Sequence, residues 1–302
     1  MTGRIALALM LLLGGLVKTA QGAEHDVEVV AAAAIVSNAV AVTRDVHYGE
    51  ARLQTLDVYR PAHATAHAPL IMMVHGGGWR FGDKAMARMV ESKVARWVPR
   101  GFVLVSMNYG LLPETPVARQ IDDVAHALAY VQHHASEWGG DGTEVVLMGH
   151  SAGAHLVAML GASPTRASAA GARPWLGTIV LDSAALDVPL IMQRRHMRLY
   201  DPAFGSDPAQ WRALSPSDAL EKSAPPLLVV CSTSRPDDSC AQAHAFVARA
   251  KSLGIRANVH EEALTHGEIN FTLGVPGAHT DAVEAFMATL DANLRQLLQA
   301  KP

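Results

Sequence analysis

The chain has 302 residues, half of them apolar and 18% charged, with 24 Gly, 16 Pro and two Cys. This globular composition excludes wholesale disorder and collagen-like repetition, and two cysteines are too few for a disulfide framework. With 25 Lys plus Arg against 28 Asp plus Glu and no basic run, a nucleic-acid partner has no electrostatic footprint here and none is expected.

Residues 1–22 read as a secretory signal. Arg4 gives a short positive region, Ile5 to Val17 is unbroken apolar-plus-Gly text, and Ala20-Gln21-Gly22 offers small residues for cleavage. The apolar run falls short of the roughly 20 residues that span a bilayer, and Lys18 closes it. The expectation is a cleaved signal, no stable membrane span afterwards, and export to the periplasm or outside the cell. An uncleaved tether is the alternative. Residues 23–302 then form one domain.

From about Val40 short β-branched runs alternate with longer helical patterns. Val42–Tyr48 and Leu53–Tyr59 read as paired antiparallel strands, the second closed by Pro61. Pro69–His75 is a continuous apolar run ending in glycines, as a strand buried on both faces requires. A helix over Lys84–Pro99, a strand over Phe102–Met107 and a helix over Ile121–His134 follow. Glu144–Gly149 is a strand that runs into Ser151 and a helical Ala154–Gly161. Strands at Gly177–Leu181, Leu227–Cys231 and Arg256–Glu261, with helices at Ala241–Leu253 and Asp281–Leu298, complete the pattern. Such alternation predicts an α/β fold, a mostly parallel central sheet with helices on both faces. Residues 187–222 break the rhythm with four prolines and read as a small cap insertion.

Gly149-His150-Ser151-Ala152-Gly153 stands between a predicted strand and a predicted helix. A Gly-x-Ser-x-Gly elbow needs small residues on both sides of a tight, strained turn that lifts Oγ above the sheet edge. A glycine-flanked serine can also be a plain helix cap, but the strand–turn–helix context favours a nucleophile. His75-Gly76-Gly77-Gly78-Trp79 follows another buried strand, and consecutive glycines let backbone N–H groups turn toward one point. Gly77 and Gly78, with Ala152 after the nucleophile, are assigned to an oxyanion hole. No Gly-Lys-Ser/Thr follows, so a phosphate loop is excluded. His75 reads as an organiser of that loop.

A serine hydroxyl needs a base, and the base an orienting acid. Of the later histidines, His155, His196, His244 and His260 fall in a helix, the cap, a helix and a strand. His266 follows the last predicted strand, at the carboxyl end of the sheet where ligands bind, and is taken as the base. His279 is the runner-up. The acid is expected after the strand Leu227–Cys231, where Asp237 and Asp238 are adjacent; Asp237 is taken as the acid and Asp238 as the cap of the following helix. Cys231 and Cys240 flank that loop, and in an exported chain a bridge between them would hold the acid in place. His63, His67, His133 and His134 lack a ligand set and read as surface residues, so no metal is expected.

With these residues in hand, the sequence over 40–300 resembles the α/β-hydrolase superfamily, and within it the carboxylesterase branch with an His-Gly-Gly-Gly oxyanion motif. That group holds hormone-sensitive-lipase-like esterases, acetyl-xylan and feruloyl esterases and kynurenine formamidases. Gly149–Leu156 is closer to the formamidase and acetyl-esterase side, since lipase-like members carry Asp where His150 stands. Asn108–Glu114 resembles the branch's Asp-Tyr-Arg-Leu-Ala-Pro-Glu, with Gly110 at the Arg, and Arg235 stands near the place where the family's acid is expected. The resemblance implies a serine esterase acting on a short-chain acyl ester through Ser151, His266 and Asp237, without metal or organic cofactor. It also implies that Trp79 walls the substrate pocket and that the cap selects among substrates. An amide-cleaving arylformamidase-like hydrolase and a non-catalytic binding protein are the alternatives.

Overall fold

The computed structural model describes residues 39–63 and 66–300. The proposed signal segment, residues 1–22, lies outside them. Eight strands form one sheet: β1 (Val40–His47), β2 (Thr55–Pro61), β3 (Ala68–Val74), β4 (Val103–Met107), β5 (Gly140–His150), β6 (Gly177–Leu181), β7 (Leu227–Ser232) and β8 (Ala257–Glu262). Their order is β1-β2-β4-β3-β5-β6-β7-β8. The β1–β2 and β2–β4 pairs are antiparallel and the remaining pairs parallel.

The continuous apolar runs follow from a sheet covered on both faces, because successive side chains point to opposite sides. Leu70, Met72 and Val74 of β3 join one core with Val145, Leu147 and Val229. Ile71 and Met73 join the other with Val146, Met148 and Val230. The first core is covered by α2 (Val117–His134), α3 (Ala152–Ala162), and α9 (Ser239–Ser252). A short α4 (Pro164–Ala169) follows α3. The second is covered by α1 (Ala87–Trp97), α10 (His266–Phe271), α11 (Ala278–Met287) and α12 (Ala292–Gln299). The segment 187–222 folds into α5 (Val188–Met192), α6 (Tyr200–Phe204), α7 (Pro208–Ala213) and α8 (Pro216–Ala219), each of the last two opening on proline.

Two expectations change. The single helix over Asp281–Leu298 is two, because Asp291 accepts from the Asn293 N–H at 2.6 Å and restarts the chain as a helix cap. His266 is no loop residue; it opens α10, whose capping box joins Thr265 and Glu268. Asp238 caps α9 as expected, accepting from Ala241 N–H. His63, His67 and His133 are exposed, and no helix among the described residues is long and apolar enough to cross a membrane.

Candidate active site

Ser151 sits at the turn from β5 into α3 with φ 57° and ψ −118°, a strained conformation for a residue with a side chain. Its N–H donates to Leu181 O at the end of β6 (3.0 Å), and its carbonyl accepts from His155 N–H (3.1 Å). Gly153 is required behind it, since a Cβ there would lie 2.3 Å from Val74 O. The elbow is thus pressed onto the end of β3, beside the glycine loop.

His266 meets this serine. Its Nε2 lies 2.9 Å from Ser151 Oγ and its Nδ1 2.6 Å from Asp182 Oδ2. The sequence-based acid, Asp237, is therefore corrected: the carboxylate on the imidazole is Asp182, directly after β6. Asp182 is fully buried, and its Oδ1 accepts from Ser232 N–H (3.0 Å) and Ser239 Oγ (2.9 Å). Burial pushes its carboxyl up, but the His266 hydrogen bond and the Arg235 guanidinium outweigh that and bring the pKa down to about 2. No local sequence signal marks it; the sheet register does. Leu181 pairs with His150 across β5 and β6, so an aspartate following Leu181 emerges beside the elbow.

Asp237 instead holds Arg235, accepting at 2.8 Å from Nε and also from Nη2. Arg235 Nη1 reaches Asp182 Oδ2 and O, both at 3.0 Å, and stands 2.9 Å from His266 Nδ1. With Nδ1–H aimed at Asp182, the guanidinium and the imidazole are two donors on one carboxylate. Two carboxylates around one guanidinium leave a net single negative charge beside His266.

Gly77 (φ 124°) and Gly78 (φ 59°) form the turn facing Ser151. A Cβ on Gly77 would sit 2.0 Å from Phe81 O, so only glycine fits. Neither N–H has a hydrogen-bond partner among the described residues, and Ala152 opens α3, where an N–H has no intrahelical acceptor. Gly78 and Ala152 line a cavity of about 290 Å³ with Ser151, Asp182, Arg235 and His266, and Gly77 is not part of that lining. Its other lining includes Trp79, Ala184, Ala185, Met197, Leu199 and Tyr200, so the cap supplies much of the apolar surface. His75 organises the loop as expected: Nδ1 bonds Gly76 O (2.8 Å), and the ring stacks on Tyr109, whose hydroxyl donates to His75 O (2.9 Å).

Two histidines that sequence reasoning passed over hold the parts together. His150 Nε2 bonds His266 O at 2.8 Å, and burial pushes its pKa down to about 3, so it stays neutral. His155 accepts at Nδ1 from Trp79 Nε1 (3.2 Å) and donates from Nε2 to Leu214 O of the cap (2.8 Å); burial brings its pKa down to about 4. The runner-up base, His279, is buried in α11 with Nε2 on Ile269 O (2.8 Å), away from the serine.

A sheet of this order, with a serine elbow after its fifth strand, is the α/β-hydrolase fold, and the comparisons with known proteins agree. The BD-FAE family model matches residues 56–249, and the chain belongs to that family. It is 29% identical to esterase LipQ of Mycobacterium tuberculosis over 234 residues, 71% of this chain and 54% of LipQ. To kynurenine formamidase of Danio rerio it is 34% identical over 116 residues, 38% of this chain and 37% of the relative. The chain thus spans about half or less of these relatives' lengths. The crystal structure of Esterase B from Lactobacillus rhamnosis superposes with a TM-score of 0.68 at 20% identity, over 92% of this chain and 96% of the other.

Proposed function

We propose that this protein is a serine carboxylic-ester hydrolase acting on short-chain acyl esters. The reading is carried by one observation, the unbroken hydrogen-bonded chain from Ser151 Oγ through His266 to Asp182. Ser151 attacks the ester carbonyl while His266 Nε2 takes its proton, and Asp182 holds the imidazole with Nδ1–H inward. The N–H groups of Gly78 and Ala152, with that of Gly77, donate to the developing oxyanion. His266 then protonates the leaving alcohol, and water releases the acyl group by the reverse steps. A cavity of about 290 Å³ walled by Trp79, Met197 and Leu199 supports a short acyl chain.

The test is turnover of aryl esters of increasing acyl length by the wild type and by Ser151→Ala, with phosphonate labelling of Ser151. Turnover should fall as the acyl chain grows, and Ser151→Ala should lose about 10⁴-fold or more in kcat. Wild-type turnover in that variant removes the assigned nucleophile. The likeness to a formamidase favours amide cleavage as the second reading, and a formanilide substrate run beside the ester decides between them.

Export is proposed on two supports: the signal-like residues 1–22, and the Cys231–Cys240 pair, joined as a disulfide with Cα atoms 5.2 Å apart. On this reading residues 23–302 are the exported domain.

A further inference from the structure

Outside the serine site, His260, Glu262 and His279 bring two imidazole nitrogens and a carboxylate oxygen within 4.8 Å of one another. His260 and Glu262 are two residues apart on β8 and so share one face of the sheet. His279, from the first turn of α11, closes over that face. The protons around this cluster do not fill it. His279 Nε2 donates to Ile269 O (2.8 Å), which in the neutral ring leaves Nδ1 a bare acceptor. That atom is buried without a hydrogen-bond partner, yet it stands 3.3 Å from Glu262 Oε1, another acceptor. The same Oε1 already takes the His260 Nε2 hydrogen bond at 2.7 Å.

We propose that His260, Glu262 and His279 form a site for a divalent transition-metal ion of the zinc type. Two imidazoles and one carboxylate with an open fourth position is a zinc donor set, and imidazole ligands exclude calcium and magnesium as the intended ion. The His279 Nε2–H bond to a backbone carbonyl is the outer contact that fixes a metal-ligating histidine's tautomer and direction. His260, 31% exposed, leaves the open position to water. Lys93 lies nearby, its Nζ donating to Asn270 O at 2.7 Å and to Asn270 Oδ1 at 2.9 Å. An ion here would tie β8 to α11, and through Ile269 would fix α10, which carries His266.

The test is calorimetric titration of the chelator-treated full chain with Zn²⁺ at neutral pH, beside a Ca²⁺ arm and a Co²⁺ arm read by visible absorption. The wild type and Ser151→Ala should bind one equivalent of Zn²⁺, with a raised Tm and a Co²⁺ d–d band, and Ca²⁺ should do neither. His279→Gln, Glu262→Gln and His260→Asn should each lose the binding. His260 is the less buried of the two histidines in the cluster, so its variant decides the matter if His279→Gln does not fold. Absence of stoichiometric binding, or binding that survives these variants, overturns the site. So does binding that disappears in His266→Ala while persisting in His260→Asn, which would place the ion on the serine machinery.

Discussion

Replacing Asp182 with Asn changes one atom and should disable the base by turning its tautomer around. The Oδ1 position receives Ser232 N–H and Ser239 Oγ–H, so the asparagine must keep its oxygen there. Its NH₂ is then forced into the Oδ2 position, facing His266 Nδ1 at the present 2.6 Å. An amide donor at that point makes Nδ1 an acceptor and moves the ring proton to Nε2, where it faces Ser151 Oγ and cannot accept a proton. The expected loss is about 10⁴-fold in kcat, or about 5 kcal/mol of transition-state stabilisation, with KM little changed. The assay is steady-state hydrolysis of a short-acyl aryl ester by Asp182→Asn, with Asp237→Asn in parallel and circular dichroism on both. Asp237 touches Arg235 and not the imidazole, so its variant should lose no more than about tenfold, the worth of one weakened charge-assisted contact. Equal losses in the two variants, or a larger loss in Asp237→Asn, would refute the assignment of Asp182. The pH dependence supplies an independent readout. The folded-state pKa of Asp182 lies near 2, below the ordinary 3.8, so its stabilisation of about 2 kcal/mol is complete above pH 4. It drains away as the pH falls toward 2, and Asp182→Asn should lack that part of the acid limb.

Glu284→Gln should destabilise the fold by about 2–3 kcal/mol while leaving kcat unchanged, because Glu284 binds Arg96 through both oxygens and accepts from Trp97 Nε1, tying α1 to α11; thermal melts and ester turnover check the two halves. Cys240→Ser should cost about 2–3 kcal/mol by releasing a short loop, measured by urea unfolding with and without reductant. Wild-type protein unfolded without reductant should titrate no free thiol.

The architecture was legible because a doubly covered parallel sheet writes itself as unbroken apolar runs between helical patterns, and β6 matches its expected bounds residue for residue. Ser151 and His266 were legible for a related reason: each follows a strand whose end can be read, and ligands gather at that edge. The acid was not. Its search was confined to the loop after β7, where the chain carries Arg235, and nothing local distinguishes a catalytic aspartate from one that pairs an arginine. Only the pairing of His150 with Leu181 brings residue 182 alongside the elbow, and that is a tertiary fact. The split of the last helix was missed because apolar spacing runs on across residues 288–291, where Asp291 restarts the helix. The His155 link was hidden for the same reason as the acid, since Trp79, His155 and Leu214 are far apart in sequence.

Placing the acid on β6 and an arginine on β7 has a structural logic. A lone buried carboxylate beside His266 would pay its full desolvation cost with only the imidazole to offset it. Arg235 supplies a second partner, and Asp237 keeps that arginine from cancelling the charge on which His266 depends. The guanidinium is itself buried, and although burial alone would push its pKa down, the two carboxylates raise it, so it stays charged at every working pH. The charge pattern at the imidazole is therefore fixed by three side chains, one from the end of β6 and two from the loop after β7. The Cys231–Cys240 link spans the segment that holds both Arg235 and Asp237. Opening that link should disturb the base through Arg235 before it disturbs the sheet, so kcat should fall ahead of the melting transition when reductant is added.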